Sequence, residues 1–107
     1  MPNVGMLSNM KATLLLRRRV AEADETFAEY VIWQLPQTLP GSAHPYKYRL
    51  AYVVDDVCVL RYDNESGKGD HRHVGAKEGK YTFTTPGKLI ADFERDIKRW
   101  DHENRSS

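Results

Sequence analysis

The sequence predicts an α+β fold: one small domain with a mostly antiparallel sheet of four to five strands and a C-terminal helix packed on one face. Three observations carry this. Tyr46, Tyr48, Leu50, Tyr52 and Val54 alternate with Lys47, Arg49, Ala51 and Val53, which is the period of a strand. Asp55-Asp56 interrupts the run and Val57 to Asp63 resumes it, as a hairpin would. Leu89, Ile90, Phe93, Ile97 and Trp100 then recur at helical spacing after Thr85-Pro86, an N-cap followed by proline at the first helical position.

The remaining elements follow in chain order. Residues 1–10 show no period and read as a flexible lead-in. Lys11 to Val20 reads as a strand with Ala12, Leu14, Leu16 and Val20 on one face; Leu15 breaks the pattern. Ala21 to Glu25 is expected to turn the chain. Thr26 to Leu35 is rich in aromatic and β-branched residues, with apolar side chains at both parities, so a central strand buried on both faces is expected. Pro36, Pro40, Gly41 and Pro45 enforce a loop. A two-residue turn at Asp55-Asp56 pairs Val54 with Val57, Tyr52 with Val59, Leu50 with Arg61 and Tyr48 with Asp63. Asn64 to Lys80, with Gly67, Gly69, Gly75 and Gly79, reads as an irregular loop, and Tyr81-Thr82-Phe83 as a short strand. Asp92, Glu94, Arg95, Asp96, Lys98, Arg99, Asp101 and Glu103 form the charged face of the helix. Fraying is expected from His102, so the domain spans 11–103 and 104–107 form a tail.

Composition narrows the function classes. At 107 residues the chain is one domain, and 40% hydrophobic against 29% charged residues suits a folded soluble protein rather than a disordered one. Sixteen Lys+Arg against 15 Asp+Glu give a net charge of +1, so bulk attraction to nucleic acid or anionic membrane is not supported, while a local basic patch is. No run of 18 apolar residues and no leader pattern are present, so no membrane span or secretion signal is expected and the cytoplasm is the default compartment. One cysteine, Cys58, rules out an internal disulfide and cysteine-rich zinc sites.

Chemistry concentrates between Arg61 and His73. There Arg61, Asp63, Lys68, Asp70, His71, Arg72 and His73 fall within one short stretch with Tyr62 and Asn64. Three readings fit these residue types. In phosphodiester cleavage, His71 and His73 supply base and acid, Arg61, Lys68 and Arg72 hold phosphate charge, and Asp63 or Asp70 orients an imidazole; no metal is required. In a metal site, His71 and His73 at i, i+2 in an extended segment share a face, with Asp70 or Asp63 as a further ligand and His44 supplied from a distant loop. In the third, a solvated polar loop satisfies its own backbone.

Other features admit bland readings as readily. In Arg17-Arg18-Arg19 at most two side chains share a strand face, as a phosphate patch or a charged edge. Lys47 and Arg49 share a face and could extend an RNA groove. Cys58 reads as a buried thiol. Tyr46, Tyr48 and Tyr52 read as core or interface before base-stacking groups. His44 and His102 have no local partner, and Trp100 reads as a core anchor.

Arg61-Tyr62-Asp63-Asn64, then Gly67-Lys68-Gly69-Asp70-His71-Arg72-His73, then Gly75, Tyr81 and Phe83, resembles the TumE family of toxin–antitoxin proteins. The likeness runs loosely from about Lys11 to Trp100. It implies a small bacterial or archaeal toxin with a cognate helix-turn-helix antitoxin. RNA cleavage is the natural activity for a toxin of this size, although family alone does not fix a reaction. The sequence reading is therefore a metal-independent endoribonuclease with no cofactor. His71 and His73 share base and acid roles, Arg61, Lys68 and Arg72 stabilise charge, Asp63 and Asp70 orient histidines, and Tyr62 and Asn64 position substrate. A non-catalytic protein-binding module and a metal-dependent nuclease remain open, as do homo-oligomerisation and the order of acid and base.

Overall fold

The computed structural model describes residues 12–65 and 67–105. The expected lead-in, with Lys11, lies outside them, as do 106–107 of the tail. Six strands, β1 (Thr13–Ala23), β2 (Thr26–Gln34), β3 (Tyr46–Val54), β4 (Val57–Glu65), β5 (Gly69–Val74) and β6 (Lys77–Lys80), form one antiparallel meander in chain order. One helix, α1 (Pro86–Asn104), crosses a single face. The α+β class is as expected, but the strand count is six rather than four to five.

The extra pair comes from the segment expected to be a loop. β4 continues to Glu65, and β5 and β6 form a hairpin with Val74 opposite Lys77. Gly75, at φ 60°, takes the first central position of its two-residue turn, where a positive φ suits glycine. Hydrophobic periodicity misses this hairpin because β5 carries polar side chains on both faces. Tyr81–Phe83, expected as a strand, is instead an extended link without sheet pairing.

Register differs from expectation at two bulges. Val54 pairs with Val57 as predicted, but Val59 is an extra residue, so Tyr52 faces Leu60, Leu50 faces Tyr62 and Arg49 faces Asp63. In β1, Leu15 is the extra residue, which explains its break in the alternation. The bulge turns Leu14 away from the face of Leu16 and Val20, with which it was grouped, and leaves it 42% exposed. The first turn is also later than expected, because β1 runs to Ala23.

The core lies between α1 and one sheet face. Ala28, Tyr30 and Ile32 of β2, Tyr48, Leu50 and Tyr52 of β3, and Leu60 and Tyr62 of β4 are buried with Leu89, Phe93 and Ile97 of α1. Thr85 caps the helix by accepting from the Lys88 N–H at 3.1 Å, with Pro86 in its first turn, as the sequence predicts. Trp100 packs edge-on to Tyr52 at 6.0 Å. The helix continues through His102 to Asn104 instead of fraying there.

The opposite sheet face has no described element over it. Phe27, Val31 and Trp33 are only half-buried there, so β2 is central in the sheet but not buried on both sides. Cys58 is exposed rather than buried, displaced by its place in the short ladder between turn and bulge. Among the described residues, no helix is long and apolar enough to cross a membrane.

Candidate functional site

Strand alternation divides the Arg61–His73 block between the two faces. Cross-strand pairing sets Lys80, His71, Asp63, Arg49, Val31 and Arg17 in one row on the open face. Glu78, His73, Arg61, Ala51, Glu29 and Arg19 form the next row. Tyr62, Asn64, Asp70 and Arg72 belong to the helix side. Arg61, Asp63, His71 and His73 are therefore brought together. Tyr62, Asn64, Asp70 and Arg72 form a second group on the opposite face. Lys68 lies in the connecting turn, its side chain exposed.

On the open face, hydrogen-bond chemistry distinguishes the histidines. His71 Nε2 lies 2.9 Å from the Lys68 carbonyl, which only accepts, and Nδ1 lies 3.5 Å from a Glu78 carboxylate oxygen. His71 Nε2 therefore donates to the carbonyl, while Nδ1 faces the carboxylate. His73 Nε2 lies 3.0 Å from Arg61 Nη2, which only donates, so here the imidazole offers its lone pair. The same Glu78 oxygen is 3.5 Å from that nitrogen. Arg61 Nε is 3.2 Å from Asp63 Oδ2 but buried without an aligned hydrogen bond, so charge attraction holds this pair. Glu78 was not singled out by sequence; the β5–β6 register delivers it.

The helix-side group is a set of closed contacts. Tyr62 donates to Asp96 Oδ2 at 2.5 Å, and Arg72 Nε donates to the same oxygen at 2.8 Å. Burial, with the Asp96 bond, pushes the Tyr62 phenol well above its ordinary range, and the Asp96 bond raises the Arg72 guanidinium. Tyr81 donates to Asp92 at 2.5 Å, and Lys88 and Arg95 pair with Asp92 at 2.8 and 3.0 Å. Burial alone would raise the Asp92 carboxyl, but bonds from Lys88 and Tyr81 and the charges of Lys88 and Arg95 outweigh it and hold the group below its ordinary value. Asp92 and Asp96, expected on a solvated face, are buried.

His44 was set aside in sequence, yet it meets Asp70. Gly67 N–H donates to the Pro40 carbonyl at 2.6 Å, and a Cβ on Gly41, whose φ is 84°, would come within 3.1 Å of the Gly67 backbone. This close approach folds the proline loop over the β4–β5 turn. His44 Nε2 then donates to Asp70 at 2.8 Å, Nδ1 accepts from the Tyr46 N–H at 3.2 Å, and the ring stacks on Phe83 at 3.9 Å. Tyr48 donates to the same Asp70 oxygen at 2.6 Å, and burial followed by that bond raises its phenol. Both His44 nitrogens are occupied, and it lies with Asp70 on the side away from His71 and His73, so the three-histidine grouping that the metal reading would need does not form. Among the described residues, no group of three or more His, Cys, Asp or Glu side chains could hold a metal ion. Asn64 bridges Tyr48 N–H and the Tyr46 carbonyl at 2.9 and 2.7 Å, fixing β4 to β3 beyond their last register pair.

Fold and site define a small one-sheet protein with a helix-covered face and an open face bearing paired imidazoles and cations. The family model described as Toxin TumE matches residues 11–101, and the chain belongs to the TumE toxin family. Membership makes it a toxin component with an antitoxin counterpart. No curated protein and no solved structure matches the chain.

Proposed function

We propose that this toxin is a metal-independent endoribonuclease working at the open face, in the cytoplasm, restrained by a helix-turn-helix antitoxin. The observation that carries the reading is the opposite hydrogen-bond demand on the two Nε2 atoms, His71 donating to a carbonyl and His73 accepting from Arg61. His73, whose Nε2 lone pair is turned to Arg61, takes the proton from a ribose 2′-hydroxyl when that hydroxyl replaces the Arg61 contact. The 2′-oxygen attacks the adjacent phosphorus, and the bond to the 5′-oxygen breaks as His71 gives that oxygen a proton. The products are a 2′,3′-cyclic phosphate and a 5′-hydroxyl. Arg61 opposes charge on the phosphorane, and Asp63 and Glu78 hold Arg61 and the two imidazoles in place. Tyr62, Asn64, Asp70 and Arg72 support β4 and β5 from the other side.

The test is cleavage of RNA by the purified chain with and without EDTA. Cleavage is expected to survive EDTA and leave cyclic phosphate ends. His71→Ala and His73→Ala should each slow it by about 10²–10⁴-fold with the circular dichroism spectrum unchanged. Undiminished cleavage in both variants, or no cleavage by folded protein, overturns the reading. Loss with EDTA moves it to metal chemistry.

A further inference from the structure

We infer that the open sheet face is a binding platform for single-stranded RNA, running from the histidines across β4 and β3 to a stacking position on Trp33. This rests on the ribonuclease reading for its direction, but its residues are separate. Cations on this face exceed carboxylates. Glu29 is engaged by Arg19, Asp63 by Arg61, and Glu78 by the two histidines. Among the described residues, no carboxylate pairs with Arg17, Lys47, Arg49 or Lys80. In a chain of net charge +1, that is a local surplus on one face.

The surplus is ordered. Arg49 stands in the same row as His71, one strand beyond Asp63. Lys47 is two residues along β3 on the same face, and its register partner is Trp33. Trp33, Leu35, Lys47 and Ala12 line a cavity of about 310 Å³. An indole beside a cation and a cavity is what a base with a flanking phosphate requires. From β5 to β2 is three strand spacings, about 14 Å, a span for a short stretch of extended strand. No described helix stands on this face to enter a duplex groove, whereas an unpaired strand can lay its bases on an aromatic ring. Tyr46, Tyr48 and Tyr52, the tyrosines considered for stacking from sequence, cannot serve here. Tyr48 and Tyr52 point to the helix side, and Tyr46 packs against Phe83 and His44.

The test is fluorescence anisotropy with a labelled 2′-O-methyl RNA ten-mer, which lacks the nucleophile and so reports binding alone. Trp33→Ala should weaken binding about 5- to 150-fold, and Trp33→Phe should restore most of it, which also covers a folding defect in the alanine variant. Lys47→Gln and Arg49→Gln should each reduce the slope of log K against log salt by about 0.7. The same sequence as a duplex should bind more weakly. Wild-type binding and slope in all of these variants overturns the platform while leaving cleavage intact. Binding as expected, from a chain that cuts no RNA, overturns the ribonuclease reading and leaves the platform. No oligonucleotide binding, with antitoxin binding lost in Trp33→Ala, makes the face a protein interface and overturns the proposal.

Discussion

The Tyr62 hydroxyl donates to Asp96 where almost no solvent reaches, and it is one of a series. Tyr30 donates to Glu94 at 2.8 Å, Tyr52 to Asp101 at 2.7 Å and Tyr81 to Asp92 at 2.5 Å. Four tyrosines from the sheet and its link thus hold four carboxylates of a single helix. A phenol has an apolar body for the core and a donor at its tip, so it fits the boundary between a packed stripe and its acidic margin. Tyr62→Phe should destabilise the fold by about 1–2 kcal/mol, read from urea midpoints, because Asp96 keeps Arg72 but loses its shortest donor. The residues on both sides of these bonds were legible as a tyrosine-rich sheet and an amphipathic helix. Their pairing was not: the acids flank the apolar stripe, where periodicity cannot distinguish a solvated charge from a buried acceptor. His44 and Asp70 are harder still, since their meeting depends on backbone approach at Gly41 and Gly67.

At the Asp55-Asp56 turn both residues have positive φ, 51° and 68°, as a two-residue hairpin turn of right twist demands. Aspartate tolerates this conformation, but glycine adopts it without a steric penalty. Asp56→Gly should therefore raise stability by about 0.5–1 kcal/mol in a thermal or urea melt, with the β3–β4 register unchanged. The turn was readable because alternating apolar residues flank it. The β5–β6 hairpin has an equally good turn at Gly75-Ala76, yet its strands are polar on both sides and carry no hydrophobic phase. The Val59 bulge was likewise invisible, because Val57, Cys58 and Val59 offer little to set one parity against the other.

Among the described residues the sheet is covered on one side only. Its helix side gathers the apolar core and the buried acids Asp92 and Asp96 with their cations, while its open side carries the imidazoles and the cations that no described carboxylate pairs. Acid should therefore cost stability on the helix side. Asp92 has a folded-state pKa below its unfolded 3.8, so its contribution is complete above that value and is lost as pH falls through the folded value. The stability gap between wild type and Asp92→Asn, measured by urea denaturation, should be widest near neutrality and shrink below about pH 4. Class and helix were legible, as was the clustering of polar and ionisable residues between Arg61 and His73, because each leaves a pattern in adjacent residues. Which face each residue serves depended on strands that polarity concealed. That division has a further consequence for β5, where Asp70 and Arg72 look one way and His71 and His73 the other. The strand behaves like a message with a two-letter frame. Inserting one residue between Gly69 and Asp70 would send the imidazoles under the helix and the Asp70 carboxylate onto the open face, scrambling both surfaces with one edit, whereas inserting two would keep the phase and only shift the row.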